Sequence, residues 1–157
     1  VLWTPDPAAA HPLLARLGPE PLGPEFTGEL LHARSRGRRT AVKSFLMDAR
    51  VVAGVGNIYA NEALYLAGIH PLRAAGRIAL GRYRRLAGAV RAVLEESIAA
   101  GGTTLRDFVD GAGKPGYYRQ SLRVYGRAGM PCPGCGGTLR LASLAQRATV
   151  YCRRCQT

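Results

Sequence analysis

The chain has 157 residues, and its 22 basic and 10 acidic side chains give a formal net charge of +12 at pH 7. This length suits one domain with its own core, or one domain with a small addition. No apolar run approaches the roughly 20 residues of a membrane span, which argues against a membrane protein. The excess charge predicts a polyanionic partner, with nucleic acid favoured over an anionic membrane or a merely solvated surface.

The positive charge is concentrated near the C-terminus. Residues 111–157 contain no Asp or Glu but carry eight cations: Lys114, Arg119, Arg123, Arg127, Arg140, Arg147, Arg153 and Arg154. Such a stretch repels itself unless an anion lies beside it, so the partner is expected to contact this half of the chain.

The first 25 residues read as a connector. Prolines recur between residues 5 and 24 and interrupt any long element, leaving room only for a short helix over residues 8–17. The first residues, Val1 to Thr4, resemble the end of a β-strand. We therefore interpret residues 1–25 as the end of an upstream N-terminal domain plus a linker, and the sequence as a fragment of a longer protein.

Two short helices are predicted on either side of a basic loop. They cover residues 26–33 and 41–48, and Thr40 is expected to cap the second. The second helix should bury its apolar side chains and leave Lys43 on the other side. In the loop, Arg38 and Arg39 could clamp a nucleic-acid backbone, because an arginine can hold a phosphate through two parallel bonds; a solvated turn is the alternative.

The central motif of the chain is the run Ala-Gly-Val-Gly-Asn-Ile-Tyr-Ala-Asn-Glu over residues 53–62. It predicts a helix that starts at Asn57, whose side chain would cap it, and that ends at Gly68. The amides of such a start point outward and suit a phosphate. Alternatively, Gly54 and Gly56 only relieve strain in a tight turn.

A long helix is predicted over residues 79–99, because apolar side chains recur every three or four positions: Leu80, Tyr83, Leu86, Val90, Val93, Leu94 and Ile98. Gly101 and Gly102 are expected to end it. The glycine-rich segment 110–118 then predicts a loop that is mobile until it meets a ligand. Its Lys114 and Tyr117 could contact nucleic acid by charge and base stacking, although the tyrosine could also pack on the helices.

Four cysteines form two C-x2-C pairs, Cys132/Cys135 and Cys152/Cys155, separated by 16 residues. Two such pairs at this spacing predict a tetrahedral zinc site rather than disulfides, since nothing in the sequence suggests secretion. A site with four sulfur ligands has no open position for water, so one structural Zn2+ is expected. The residues between the pairs predict a β-hairpin over 139–150 with its turn near 143–146.

Taken together, these motifs resemble bacterial formamidopyrimidine-DNA glycosylase. The similarity is carried by segments 17–22, 46–64, 67–71, 101–108, 113–117, 124–127 and 146–156. It implies a mainly α fold with a small β component: a helix–two-turn–helix domain over residues 26–122, then a four-cysteine zinc finger over 123–157. It also implies that the catalytic N-terminal domain lies outside this sequence.

The resemblance implies a bifunctional DNA glycosylase and AP lyase that excises oxidised purines, such as 8-oxoguanine and formamidopyrimidines, in base excision repair. The family's nucleophilic N-terminal proline and its catalytic glutamate and lysine are not found here, so this chain alone is expected to be inactive. Two alternatives are an endonuclease VIII-like enzyme for oxidised pyrimidines and a non-enzymatic zinc-containing DNA-binding module.

The resemblance also assigns residue roles. Arg147 corresponds to an arginine that grips phosphate and donates a proton in δ-elimination. The DNA contacts implied are Arg38, Arg39, Lys43, Gly56, Asn57, Lys114, Tyr117 and Arg147, and the zinc ligands are Cys132, Cys135, Cys152 and Cys155. The expected partner is damaged double-stranded DNA, with no membrane. The protein is expected to be a monomer in the bacterial cytoplasm, associated with the nucleoid.

Overall fold

A computed structural model describes residues 17–100 and 122–157. The expectations for the helix over 8–17, the glycines at 101–102 and the loop with Lys114 and Tyr117 therefore lie wholly or mainly outside the described residues. Among the described residues, no helix is long and apolar enough to cross a membrane.

The described chain forms four α-helices, one 3-10 turn and one β-hairpin. The elements are α1 (Gly28–Ser35), α2 (Val42–Met47), α3 (Asn57–Ala67), the 3-10 turn (Ala75–Arg77), α4 (Leu80–Ala99), β1 (Arg140–Leu144) and β2 (Arg147–Tyr151). The predicted fold class, mainly α with a small β-hairpin, is confirmed.

The long helix α4 forms the centre of an apolar core with α1 and α3. Tyr83, Leu86, Val90 and Val93 of α4 are fully buried, as the helical period predicts. The helices α1 and α4 approach closely at Gly28, where an added Cβ atom would lie 2.4 Å from the Cα atom of Arg84. A side chain at residue 28 would therefore push these two helices apart.

Ile98 belongs to the apolar repeat that predicts α4 but does not share its buried face, because its side chain is 65% exposed. The buried residue in the last turn is Ser97, which continues the spacing of Val90 and Val93. Its hydroxyl lies 3.0 Å from the hydroxyl of Tyr59 on α3, so a hydrogen bond links the last turn of α4 to α3.

The short helix α2 differs from its prediction in two ways. Its N-cap is Ala41 and no side chain caps it, so the expected role of Thr40 is wrong. Instead, the amides of Val42 and Lys43 donate to the carbonyls of Arg73 and Pro71, at 2.7 and 3.1 Å. Lys43 is also buried, at 1% exposure, rather than solvated on the polar side.

The hairpin forms where the sequence predicts it. Strand β1 pairs antiparallel with β2, with Arg140 opposite Tyr151 and Leu144 opposite Arg147. The two turn residues, Ala145 and Gln146, have φ angles of 52° and 65°. Both lie in the left-handed region, which matches the type I′ turn that the twist of a hairpin favours.

Candidate nucleic-acid interface and metal centre

The start of α3 lies directly against the hairpin. The Asn57 amide donates to the Ala148 carbonyl of β2 at 3.1 Å, and its side-chain oxygen accepts a 2.6 Å bond from Lys43 Nζ. The predicted capping bond is therefore wrong: Gly56 is the N-cap, and no side chain caps this helix. Because the Asn57 side chain is engaged across the interface, the first-turn amides of α3 remain without a side-chain cap.

Asn61 fixes the position of β2 one helical turn further along. Its amide donates to the carbonyls of Asn57 and Ala148 at 2.9 and 3.3 Å, and its oxygen accepts from the Val150 amide at 2.7 Å. The sequence analysis assigned no role to Asn61. The available signal was its spacing of four residues from Asn57, which places both side chains on one helix face.

A cleft of about 230 Å³ opens between α2 and the hairpin turn, and its lining includes Lys43, Asp48 and Arg147. Asp48 is paired with Arg50 at 3.0 Å. Burial and the nearby positive charge of Arg147 lower the pKa of Lys43 from its ordinary value of 10.5 to about 8. The structure thus brings together three of the predicted site residues: Lys43, Asn57 and Arg147.

The other two arginines predicted to contact DNA, Arg38 and Arg39, do not line this cleft. Arg38 is exposed, with its guanidinium 5.6 Å from the ring centre of Phe45, and its charge helps to lower the pKa of Asp48 after the larger effect of Arg50. Arg39 is exposed on the adjoining loop, and its side chain has no hydrogen bond or ion pair within the structurally described part. Only Arg38 is therefore tied electrostatically to the cleft.

The two glycines of the central motif differ. Gly54 has a φ of +85°, so this turn requires a residue that tolerates the left-handed region. Gly56 has an ordinary extended backbone (φ −84°, ψ 179°), and an added Cβ would meet only the Tyr59 ring at 4.0 Å. The backbone conformation of the turn therefore explains why residue 54 is a glycine, but it does not explain why residue 56 is one.

Glu62 joins α3 to the beginning of residues 123–157, which we call the zinc region. Its fully buried carboxylate accepts hydrogen bonds from the backbone amides of Arg123, Val124 and Tyr125 at 2.7, 2.9 and 2.9 Å. The Arg123 guanidinium lies 3.7 Å away. The sequence analysis also assigned no role to Glu62, although a carboxylate within an apolar helix face requires buried partners.

The four cysteine sulfurs lie within 4.8 Å of one another. The Sγ atoms of Cys132 and Cys155 are 3.8 Å apart, and those of Cys135 and Cys152 are 3.5 Å apart. Tetrahedral Zn–S bonds of about 2.3 Å would separate sulfurs by about 3.8 Å, so the cluster fits this ion. The predicted set of four cysteines is therefore assembled.

Hydrogen bonds to sulfur surround the cluster. The amides of Gly134 and Gly137 donate to the Sγ atoms of Cys132 and Cys135, and the Tyr65 hydroxyl of α3 lies 3.1 Å from the Cys132 sulfur. Burial raises the pKa of Cys132, but the bonds from Tyr65 and backbone amides outweigh it and lower the pKa to about 6. Burial and the neighbouring thiols raise the pKa of Cys155 to about 12. All four sulfurs can therefore be thiolates at the same time only when a cation is bound between them.

The extreme C-terminus is tied to the end of α3. The Gln156 side chain donates to the Ile69 carbonyl at 3.0 Å and accepts from the Cys152 amide at 2.8 Å. The Thr157 amide donates to the Gly68 carbonyl at 3.0 Å, and Gly68 ends α3 in the left-handed conformation, as predicted. Helix α3 is thus bonded to the zinc region at both of its ends.

Two protein-family models match the chain, one in its helical part and one in its cysteine-containing part. Residues 17–109 match the family described as formamidopyrimidine-DNA glycosylase H2TH domain. Residues 129–157 match the zinc finger found in FPG and IleRS. The chain is thus a helix–two-turn–helix protein with a zinc-finger region, and the match to a zinc-finger family together with the four-cysteine cluster indicates zinc binding.

Relatives of the whole chain agree with both matches. It is 63% identical over 156 residues to formamidopyrimidine-DNA glycosylase of Methylococcus capsulatus and 68% identical over 146 residues to that of Halorhodospira halophila. These alignments cover 99% and 93% of this chain but 58% and 53% of the relatives. The chain therefore belongs to the formamidopyrimidine-DNA glycosylase family and spans a little over half the length of these curated relatives.

Solved structures support the same assignment. The MutM (Fpg) protein of Thermus thermophilus superposes with a TM-score of 0.83 at 41% identity, covering 95% of this chain and 57% of that protein. Lactococcus lactis Fpg in complex with DNA containing an abasic site superposes with a TM-score of 0.82 at 32% identity, covering 92% and 53%. The family resemblance inferred from the sequence motifs is confirmed.

Proposed function

We propose that this chain is the DNA-binding, C-terminal part of a bifunctional glycosylase and AP lyase that removes oxidised purines in base excision repair. The observation that carries the proposal is the cleft in which Lys43 and Arg147 meet, with Asn57 hydrogen-bonded to Lys43 beside it. Relatives support it, since Lactococcus lactis Fpg has been solved with Fapy-dG-containing and abasic-site DNA.

The cleft suits a phosphodiester because its hydrogen-bond donors are positively charged or partly positive and lie close together. Lys43 is buried and lies near Arg147, so its positive charge is unfavourable until an anion arrives. The first-turn amides of α3 carry a partial positive charge and can donate to a phosphate. At Gly56 the open space above the backbone admits a close ligand. Phosphate contacts of this kind position DNA and help to offset the cost of extruding a base.

The remaining site assignments follow from the family. Arg147 is proposed both to hold a phosphate and to donate the proton in δ-elimination. Arg38 and Arg39 are proposed as further backbone contacts, and Lys114 and Tyr117 as contacts near the extruded base. The partner is damaged double-stranded DNA, and the protein is proposed to act as a monomer in the bacterial cytoplasm, at the nucleoid.

We propose one zinc ion with a structural role. Four cysteine sulfurs complete a tetrahedron and leave no position for water, so the ion would supply no chemistry beyond holding the hairpin that carries Arg147. The domain division at residues 26–122 and 123–157 is likewise a proposal. The attacking proline, the glutamate and the lysine belong to the family's N-terminal domain, so this chain alone is proposed to bind DNA without cleaving it.

The test is to fuse the chain to the N-terminal domain of the Methylococcus capsulatus relative. Base release and strand nicking are then measured on duplexes with 8-oxoguanine or with an oxidised pyrimidine. We expect the wild-type fusion to excise the oxidised purine faster than the oxidised pyrimidine. We expect Arg147→Ala to lose δ-elimination. Arg85→Ala, at an exposed site on α4, serves as the control. Preference for the pyrimidine would indicate an endonuclease VIII-like enzyme, and DNA binding without nicking would indicate a non-enzymatic module.

A further inference from the structure

A second, larger cleft lies at the zinc end of the hairpin. Its volume is about 550 Å³, and we call it the zinc-end cleft; its lining is Gly137, Thr138, Arg140, Cys152, Arg153 and Arg154. Three arginine side chains from two chain segments thus share one concave surface. The sequence analysis placed all three among the eight cations of residues 111–157 that are expected to face a polyanion, but neither it nor the proposed function assigned any of them an individual DNA contact.

No acidic side chain neutralises this surface from within its own region, because residues 111–157 contain no Asp or Glu. Across residues 17–100 and 122–157, the guanidinium groups of Arg140, Arg153 and Arg154 make no hydrogen bond or ion pair. Other arginines in the same range are engaged: Arg84 is paired with Glu29 at 2.7 Å, and Arg123 with Glu96 at 2.9 Å. Three unpaired cations converging on one cleft repel one another unless an anion is bound.

The zinc-end cleft is separate from the cleft of Lys43 and Arg147. Arg140 pairs with Tyr151 at one end of the hairpin, and Arg147 pairs with Leu144 at the other. The two ends are four residue steps apart along the strand, which is about 13 Å at roughly 3.3 Å per residue. A single phosphate cannot reach both clefts, so the second cleft needs an anion of its own.

One alternative is that the arginines only screen the zinc cluster, since Zn2+ with four thiolates carries a net charge of −2. The Cδ atom of Arg154 does lie near the metal loop, 3.8 Å from the Cβ that Gly137 would carry. However, the donors to sulfur in the described structure are backbone amides and the Tyr65 hydroxyl, not guanidinium groups. The guanidinium groups are therefore available to an external ligand.

We propose that the zinc-end cleft binds the phosphodiester backbone of a second stretch of nucleic acid, beyond the one gripped at Lys43 and Arg147. All three cations are arginines, whose planar donors match a phosphate bidentately. No acidic residue lies on the hairpin between the two clefts, so a polyanion can follow the surface from one to the other. The inference rests on the proposed DNA-binding function.

The test compares salt-dependent binding of the zinc-loaded chain and its R153Q/R154Q variant to undamaged duplexes of 12 and 40 base pairs. Each phosphate contact contributes about 0.9 to the slope of log K against log salt. We expect the variant to lower this slope by about two on the 40-base-pair duplex. The control R77Q/R85Q removes two exposed arginines outside both clefts and should leave the slope unchanged.

The 12-base-pair duplex distinguishes two sources of the phosphate. A loss with one duplex bound per wild-type chain indicates the flank of one DNA molecule, since even 12 base pairs span about 40 Å, more than the separation of the two clefts. A loss on both, with two short duplexes bound per wild-type chain, indicates a second molecule. Either result supports the zinc-end cleft. Should the double variant not fold, Arg153→Gln and Arg154→Gln are measured singly, and each is expected to lower the slope by about one.

An unchanged slope in the folded variants would overturn the inference. A lower slope accompanied by loss of bound zinc would overturn it as well, because it would assign the arginines to the metal. Failure of the wild-type chain to bind any duplex would instead contradict the proposed function. Wild-type binding with an unaffected variant would contradict the zinc-end cleft alone.

Discussion

The helical region and the zinc region are held together by different forces. Around α4, the helices bury large apolar side chains such as Phe45, Leu64 and Tyr83. The core of the zinc region consists of Val124, Leu139 and Val150 with two of the cysteines. So small a core cannot offset the entropy of ordering the chain around it, and a metal is the usual remedy.

Helix α3 connects the two regions, and it contacts the helical region by apolar packing but the zinc region by hydrogen bonds. One side of α3 contributes Ala63, Leu64 and Ala67 to the apolar core. Its polar residues Asn61 and Glu62 hold the backbone of the zinc region through charged or buried hydrogen bonds. The position of Arg147 relative to Lys43 therefore depends on the hydrogen bonds from α3 more than on apolar packing.

Zinc removal is expected to have the largest effect and to separate the two regions. Structural zinc contributes roughly 10–16 kcal/mol of apparent binding free energy in isolated fingers. A chelator should therefore unfold residues 129–157, while the amides of α3 and α4 remain protected. Residue-resolved hydrogen exchange measures this, with re-addition of zinc as the control. Loss of protection in both regions at one chelator concentration would show that they form a single cooperative unit.

Glu62→Ala should have the next largest effect. It leaves three backbone amides without their acceptor and creates a cavity, for which we expect about 3–5 kcal/mol of lost stability. Urea unfolding of the zinc-loaded chain measures the change. Glu95→Ala, at an exposed site on α4, is the matched control and should change stability by less than about 0.5 kcal/mol. A cost below about 1 kcal/mol for Glu62→Ala would mean that the junction is held elsewhere.

The sequence predicted the features that depend on local patterns and missed those that depend on contacts between the two regions. The helical period located α4 to within one residue at its start, and the cysteine spacing identified the metal cluster, because both are local patterns. The burial of Lys43 was not predictable, since its side chain meets Asn57 on another helix and faces the hairpin that carries Arg147, about 100 residues further along the chain. The roles of Asn61 and Glu62 depend on a strand and a turn more than 60 residues away, which periodicity does not report.

The third prediction concerns Lys43 and the pH dependence of DNA binding. In the free protein its pKa is about 8, so above pH 8 the side chain loses its proton, and binding a phosphate must restore it. Affinity should then fall by up to tenfold per pH unit as the pH rises above 8. Stability follows the opposite sign: it rises between pH 8 and 10.5, because there the unfolded chain holds a proton that the folded chain has lost.

Fluorescence anisotropy with a short duplex between pH 7 and 9.5 measures this effect. Lys43→Met should bind more weakly at pH 7 but show a flatter pH profile. The same steep profile in wild type and Lys43→Met would exclude Lys43 as the titrating group.

The smallest expected effect is at the tip of the hairpin. Ala145 occupies the left-handed region, which costs an L-residue other than Asn or Gly roughly 1 kcal/mol. Ala145→Asn should stabilise the zinc region by about 0.5–1 kcal/mol without changing α4, because asparagine suits a type I′ turn. The free energy of hydrogen-exchange opening at β2 reports the gain. No gain would indicate that the turn is already relaxed.

The central proposal is that α2, α3 and the zinc hairpin together hold one DNA backbone, through Lys43, Asn57 and Arg147 respectively. The most direct measurement is the salt dependence of duplex binding by wild type, Arg147→Ala and the control Arg85→Ala. The account predicts that Arg147→Ala weakens binding and lowers the slope of log K against log salt by about one, while the control matches wild type. An unchanged slope in Arg147→Ala would remove this residue from the interface and contradict the account.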